Sequence, residues 1–201
     1  MKTLTFTDRE GWLAARRGKI TGTRLKDIVT LRGNGKKIGF YELIAERLGI
    51  PADDESAMDR GLRLEEEALK EFSIKTGKKL DVGLKIWARE DNPNIAVTPD
   101  AVVQKKKEAV EVKCLSSARH IEALLTQKVP SDYEMQILQY FVVNDDLKTV
   151  YMVFFDPRLL ARPFFFLTIN REEVQEKVDE YLEYERKTLE EVEQAVNQIS
   201  F

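Results

Sequence analysis

The sequence predicts a single α/β domain over residues 1–201, with a mixed central sheet flanked by helices. Residues 80–86, 95–98, 109–114, 149–155 and 164–169 alternate or run apolar as strands do. Residues 58–76, 131–143 and 171–199 instead repeat their apolar positions at helical spacing. From residue 58 onward the two kinds of segment interleave as α, β, β, β, α, α, β, β, α, which places a three-strand meander among helices.

A chain of 201 residues can bury one substantial core. With 43% hydrophobic residues and no apolar run of membrane-spanning length, it is expected to be soluble, with no membrane partner. The opening Met1-Lys2-Thr3-Leu4-Thr5-Phe6-Thr7-Asp8 lacks the apolar core of a signal peptide, so a cytoplasmic protein is expected. The lone Cys114 cannot form an internal disulfide, which fits a reducing compartment. The net charge of −3 conceals an uneven distribution. Residues 161–201 hold 5 basic and 10 acidic side chains, whereas residues 16–37 hold eight basic ones and a single acid, Asp27. A local basic patch of that kind suits phosphate contacts, and a solvated surface loop is the plainer alternative.

Thr7 or Asp8 can cap a short helix reaching Arg16, with Trp12 and Leu13 facing inward. Gly18 breaks it, and Thr21-Gly22-Thr23 can start a second helix reaching Val29. A helix start flanked by Arg16, Arg17 and threonine hydroxyls suits an anion. Arg32-Gly33-Asn34-Gly35-Lys36-Lys37 reads as a mobile basic loop, and Phe40 to Leu48 as a helix ended by Gly49 and Pro51. In the helix from Met58 to Thr76, residues Met58, Leu62, Ala68, Leu69 and Phe72 form one stripe, with Glu65 near its centre. A carboxylate on a buried stripe is costly unless paired or metal-bound, so Glu65 is a candidate for an acidic site, against the plainer reading of a rim ion pair.

Leu80, Val82, Leu84 and Ile86 alternate as a first strand. The apolar run Ile95 to Thr98 then ends at Pro99-Asp100, and Gln104-Lys105-Lys106-Lys107-Glu108 reads as the turn of a hairpin returning to Glu111. In Ala109-Val110-Glu111-Val112-Lys113-Cys114, Glu111 and Lys113 share one strand face while Val110, Val112 and Cys114 share the other. Folding the hairpin brings Asp100 alongside Glu111. Two carboxylates so close need a cation between them, and hard oxygen ligands favour Mg²⁺, with Lys113 within reach of a metal-bound water. That is a metal-nuclease signature; a surface Glu-Lys pair on an exposed hairpin is the plainer alternative.

Ser116 or Ser117 can cap a helix to Thr126 that carries Arg119 and the only histidine, His120. With no partner at ligand spacing, zinc is disfavoured and His120 is expected at the surface or in packing. The absence of a Ser-His-Asp set and of a glycine-rich phosphate loop argues against those hydrolase and NTPase classes. The helix from Ser131 to Val143 puts Gln136 and Tyr140 one turn apart on one side. Two aromatic strands follow, 149–155 and 164–169, separated by Asp156-Pro157-Arg158. Asn170 and Glu173 make a capping box for a last helix whose stripe is Val174, Val178, Tyr181, Leu189, Val192, Val196 and Ile199.

Six motifs stand in order: Trp12-x-x-x-Arg16-x-Gly18-x-Ile20-Thr21, Gly61-x-x-x-Glu65, Thr98-Pro99-Asp100, Glu111-Val112-Lys113-Cys114, Gln136-x-x-x-Tyr140 and Asp156-Pro157-Arg158. Over residues 10–185 the chain thereby resembles the phage lambda exonuclease and YqaJ-type viral recombinase nucleases of the PD-(D/E)xK superfamily. The resemblance implies a PD-(D/E)xK core and a processive, Mg²⁺-dependent exonuclease that digests linear double-stranded DNA from 5′ ends and leaves 3′ single strands. It implies two Mg²⁺ ions, replaceable by Mn²⁺, held by Asp100, Glu111 and the Val112 carbonyl with Glu65 in support. Lys113 would orient or activate water, and Gln136 would stand near the reacting groups. Arg16, Thr23, Thr98 and Arg119 match a pocket for the 5′ phosphate, Met58 an apolar wedge and Arg32 a groove-tracking arginine. Thr23 and Thr98 stand where serine is common, and Met58 where leucine is. A homotrimeric ring and a single-strand annealing protein as partner are implied in the same way. Within this fold an endonuclease or a Cas4-like nuclease is the alternative, although one cysteine cannot supply four iron–sulfur ligands. A non-catalytic DNA-end-binding subunit is the alternative outside enzymology.

Overall fold

Strand β6 (Glu108–Lys113) is the middle strand of a five-stranded sheet, and its two faces organise the molecule. The computed structural model describes residues 1–30, 37–47, 59–103, 107–115, 117–157, 159–160 and 162–200. In chain order the elements before it are β1 (Lys2–Phe6), α1 (Arg9–Arg16), α2 (Gly22–Ile28), α3 (Ile38–Arg47), α4 (Asp59–Thr76), β2 (Leu80–Val82), β3 (Leu84–Ala88), β4 (Ala96–Val97) and β5 (Ala101–Val103). After it come α5 (Ser117–Thr126), α6 (Ser131–Val143), β7 (Thr149–Phe155), β8 (Phe164–Asn170) and α7 (Arg171–Ile199). None of the described helices is long and apolar enough to cross a membrane.

The larger sheet has the order β2-β5-β6-β7-β8. Its β6–β7 pair is parallel and the other pairs are antiparallel, so the sheet is mixed, as the sequence predicts. A parallel neighbour needs a long crossover, which α5 and α6 supply. One face of the sheet, including Val110, Val112, Tyr151 and Val153, packs on Leu64, Ala68, Leu69 and Phe72 of α4. The Phe72 ring meets Phe166 edge-on at 5.2 Å and Tyr151 at 5.3 Å. The other face, including Ala109, Val150, Met152 and Phe154, forms the main core with α2, α3, α6 and α7.

The expected single strand from Leu80 to Ile86 is instead two strands in two sheets. β2 pairs with β5, whereas β3 leaves at Gly83 to pair with β1 and β4 in a smaller antiparallel sheet. The expected meander is divided accordingly, because alternation specifies which face a side chain takes and not which strand it pairs with. Val82 is consequently 58% exposed. β1 carries an alternation at Leu4 and Phe6 that the sequence reading passed over. Asp8 caps α1, accepting from the Gly11 N–H at 2.7 Å, but Leu13 faces outward while Trp12 packs with Leu4, Phe6 and Ile86. The buried α4 stripe runs through Leu64, Ala68, Phe72 and Leu69, and Glu65 lies within its angular range, half-buried. Ile199, expected on the α7 stripe, is exposed because the last turn overhangs the core. His120 takes the packing role, buried edge-on to Phe165 at 5.0 Å with Nε2 3.0 Å from the Arg162 carbonyl. The Asn170–Glu173 capping box is present. Arg32, Met58, Arg158 and most of the basic loop lie outside the described residues.

Helix α6 is held at its C-terminal end by two arginines. Arg171 donates to the Phe141 carbonyl at 2.7 Å and the Asn144 carbonyl at 2.5 Å, and Arg89 donates to the Val142 carbonyl at 2.5 Å and to Asp145. These carbonyls have no partner within the helix, and the cations also suit the negative end of its dipole. In the middle of α6, buried Gln139 donates to the Ile20 and Ala96 carbonyls and, at 3.1 Å, to buried Glu185 of α7.

Burial pushes the Glu185 carboxyl up to about 8, although Gln139 and Arg89 pull it part of the way back. The folded state therefore keeps a proton that the unfolded chain releases near 4.5, and stability falls as pH rises between those values. The slope should be at most about 1.4 kcal/mol per pH unit. Glu185→Gln should flatten this dependence and raise stability at pH 8 more than at pH 5, as urea unfolding at the two pH values would show; an unchanged slope would rule out Glu185 as its source.

Candidate active site

The site is assembled on the face of β6 that looks toward α6. Pro99 directs the chain out of β4 so that Asp100 precedes β5, where its Oδ2 accepts the Val112 N–H at 2.7 Å. The antiparallel register Ala101↔Val110 makes that contact by continuing the hairpin one step. Glu111 and Lys113 share a face as their spacing requires, and Lys113 Nζ donates to Glu111 Oε1 at 2.5 Å. Glu111 is 2% exposed. Its burial is compensated from α6, where Gln136 Nε2 donates to Oε1 and the Tyr140 hydroxyl to Oε2. The Thr98 carbonyl lies 3.3 Å from the same hydroxyl as an alternative acceptor. The Lys113 ammonium also rests over the Tyr133 ring, 5.0 Å from its centroid.

A cavity of about 980 Å³ opens onto these groups. Arg16, Thr23, Glu65, Thr98, Asp100, Glu111, Val112, Lys113 and Gln136 all line it, so nine of the twelve residues selected from sequence come together. Of the other three, Arg32 and Met58 lie outside the described residues, and Arg119 sits in the first turn of α5 with its side chain likewise outside them. Arg16 Nη2 is 3.4 Å from Thr23 Oγ1, and the guanidinium stacks 4.5 Å from the Trp12 ring centroid. Arg9, Trp12 and Lys70 line the same cavity without having been selected from sequence. Tyr140 was visible only as the partner of Gln136 one turn away, and its role emerges from the docking of α6 on β6.

The electrostatics are those of crowded acids in a buried site. Burial, then Glu111 and Glu65, push the Asp100 carboxyl well above the usual carboxylate range. Burial and Glu111 likewise raise Glu65. For Lys113, burial alone would lower the ammonium, but Glu111 and Asp100 outweigh it and the net shift is upward. Burial lowers Arg16 against the pull of Glu111 and Asp100. Burial and the same two acids keep the Tyr140 phenol far from ionising. Among the described residues no group of three His, Cys, Asp or Glu side chains is placed to hold a metal by itself. Glu111 is instead turned toward Lys113, Gln136 and Tyr140, and Asp100 toward a backbone N–H. The Asp100 and Glu111 carboxylates nevertheless fit Mg²⁺, which commonly takes one or two carboxylates and completes its shell with water and phosphate.

A family model for the YqaJ-like viral recombinase domain matches residues 11–146. The chain belongs to that family. The matched span runs from within α1 to just beyond α6 and so contains all nine sequence-selected residues that line the cavity. Among solved structures, an alkaline exonuclease (LHK-Exo) from Laribacter hongkongensis superposes with a TM-score of 0.80 at 26% identity, covering 96% of each chain. The same enzyme in complex with dAMP gives 0.79 at 26% identity, over 95% of this chain and 96% of that one. A phage-related exonuclease from Haemophilus somnus 129PT shares the fold at 17% identity, with a TM-score of 0.61 over 90% of this chain and 96% of that one. No curated protein sequence matches. As a YqaJ-like domain the chain has the expected nuclease fold, a mixed sheet flanked by helices.

Within this YqaJ-like fold, α2 packs closely on α6 at Gly22. A Cβ there would lie 2.9 Å from Gln136 Cγ and 3.2 Å from the Gln136 carbonyl oxygen. Helix propensity favours alanine over glycine by up to about 1 kcal/mol, whereas overpacking costs about 1–3 kcal/mol. Gly22→Ala should therefore destabilise the protein and move Gln136 from Glu111; a higher melting temperature with the Gln136–Glu111 contact intact in a crystal structure would contradict this.

Proposed function

We propose that this chain, acting as one domain, is a Mg²⁺-dependent, processive 5′-to-3′ exonuclease on linear double-stranded DNA. The observation that carries the reading is the convergence of Asp100, Glu111 and Lys113 with Arg16 and Thr23 on one cavity. Asp100, Glu111 and the Val112 carbonyl would hold the metal, with Mn²⁺ as a substitute for Mg²⁺ and Glu65 acting through water. Two bound ions would supply Lewis-acid activation of the water and stabilisation of the leaving 3′ oxygen.

The chain's own groups do the rest. Gln136 and Tyr140 orient Glu111, and burial around them excludes bulk water. Lys113 is held as an ammonium by Glu111 and Asp100, which suits donating hydrogen bonds to the scissile phosphate and the attacking water better than removing a proton. Arg16, Thr23 and Thr98, with Arg119, form the pocket for the 5′ phosphate, and Arg16 approaches it stacked on Trp12. Met58 as wedge and Arg32 as groove contact follow from the family resemblance, as do a trimeric ring enclosing DNA, a single-strand annealing partner and work in the cytoplasm.

Digestion of a linear duplex labelled separately at its 5′ and 3′ ends, beside a covalently closed circle, tests this directly. With Mg²⁺ the 5′ label should be released first, 3′ single strands should remain and the circle should survive; EDTA or Asp100→Ala should stop digestion. Cutting of the circle would move the function to an endonuclease, and DNA binding without degradation to an end-binding subunit. Lys113→Ala should lower kcat by at least about 100-fold, the usual scale for losing a group that assists proton movement, with DNA affinity little changed. Normal turnover with weakened binding would remove Lys113 from the chemistry. Arg16→Ala should lose about 10- to 100-fold of the preference for 5′-phosphorylated ends, the value of a charged hydrogen bond. Equal wild-type activity on phosphorylated and hydroxyl ends would refute the pocket.

A further inference from the structure

The basic N-terminal region has a buried acid that its own sequence does not contain. Glu46, near the end of α3, projects back to the junction of α1 and α2. Its Oε2 accepts the Gly18 N–H at 2.6 Å and Arg24 Nη1 at 2.8 Å, while its Oε1 accepts Arg24 Nη2. The carboxylate is 8% exposed. Burial alone would raise its proton affinity, but Arg24 and the Gly18 N–H outweigh burial and keep it ionised. A planar guanidinium gripping both carboxylate oxygens is a rigid joint, stronger and more directional than an ordinary surface ion pair.

The two segments that Glu46 joins are those that carry the phosphate pocket. Gly18 lies two residues after Arg16, and its positive φ of 70° sets the tight turn out of α1. Arg24 follows Thr23 directly, and Thr23 Oγ1 is 3.4 Å from both Arg16 Nη2 and Thr21 Oγ1. The turn after Arg16 and the residue after Thr23 are thus fastened to one carboxylate outside the cavity. The joint has an electrostatic effect as well. Arg24 and Arg16 repel each other, and Arg24 is held on Glu46, which does not line the cavity.

We propose that Glu46, acting through Arg24 and the Gly18 N–H, is a positioning residue that sets the Arg16–Thr23 spacing and so determines selectivity for 5′-phosphorylated DNA ends. The inference rests on the exonuclease reading above, and names a determinant of its end specificity that touches no substrate. A residue that merely supported the fold would lower activity on every substrate alike. Glu46 should alter the ratio between two substrates.

The test compares kcat/KM on linear duplexes bearing a 5′ phosphate or a 5′ hydroxyl, for wild type, Glu46→Ala, Glu46→Gln and Arg24→Ala. Glu46→Ala should lower the phosphate-to-hydroxyl ratio at least fivefold, chiefly through KM, while turnover on the hydroxyl duplex stays near wild type. Arg24→Ala should do the same. Glu46→Gln keeps a carbonyl acceptor for the Gly18 N–H and should fall between the two, restoring part of the ratio. An unchanged or increased ratio in Glu46→Ala would overturn the proposal, an increase meaning that released Arg24 itself binds the phosphate. Should Glu46→Ala fail to fold, Glu46→Gln decides by the same ratio: a fall of twofold or more supports the proposal and no change overturns it. A wild-type enzyme that digests DNA without preferring the phosphate would overturn the pocket reading and this inference with it, whereas a selective wild type with an equally selective Glu46→Ala overturns the inference alone.

Discussion

The burial of the Glu111 carboxylate is the constraint on which the rest of the structure depends. A carboxylate placed in an apolar interior without partners is costly enough that it would protonate or unfold its surroundings. Glu111 is retained because three donors reach it: Lys113 from its own strand, and Gln136 and Tyr140 from α6. Hydrogen bonds to a charged group are each worth about 1.5–3 kcal/mol, so the set competes with the penalty only when α6 is correctly seated. Features remote from the cavity serve that seating. Arg89 and Arg171 hold the C-terminal end of α6, Gln139 ties its middle to Ile20 and Ala96, and Gly22 allows α2 to approach Gln136.

Charge is organised around the same carboxylate. Asp100 and Glu65 are both pushed toward protonation by burial and by neighbouring acids, a strain that cations relieve. Lys113 and Arg16 supply part of the relief from within the chain, and the remaining need for positive charge is what makes the pair of acids a fitting place for Mg²⁺. Arg24, in the same basic region, is given to Glu46 instead. The division explains how a chain with a net charge of −3 maintains a cationic wall beside an acidic centre.

The acidic centre itself was legible in the sequence because strand geometry has a period of two. Glu111 and Lys113 could only share a face, and the antiparallel pairing of β5 with β6 brings Asp100 back beside them. The one-turn spacing of Gln136 and Tyr140 likewise required both to point one way. The capping box at Asn170 was legible because it is local chemistry. Less was legible where pairing is not local. Leu80 to Ile86 has one continuous alternation, yet Gly83 divides it between two sheets. The α4 stripe read from the sequence omitted Leu64, which the sheet buries.

By itself, the sequence determined which of the candidate side chains share a face, since that follows from covalent connectivity and from backbone periods of 2 and 3.6 residues. It also determined the α/β class and the alternation of elements. Only the tertiary structure decided that Gln136 and Tyr140 meet Glu111, that Arg16 meets Thr23, and that Glu46 closes on Arg24 and Gly18. Those contacts join residues from 7 to 29 positions apart on different elements, and nothing in local periodicity encodes them. They form because a buried charge has to find its partners across the fold, and packing of the whole chain is what brings those partners within reach.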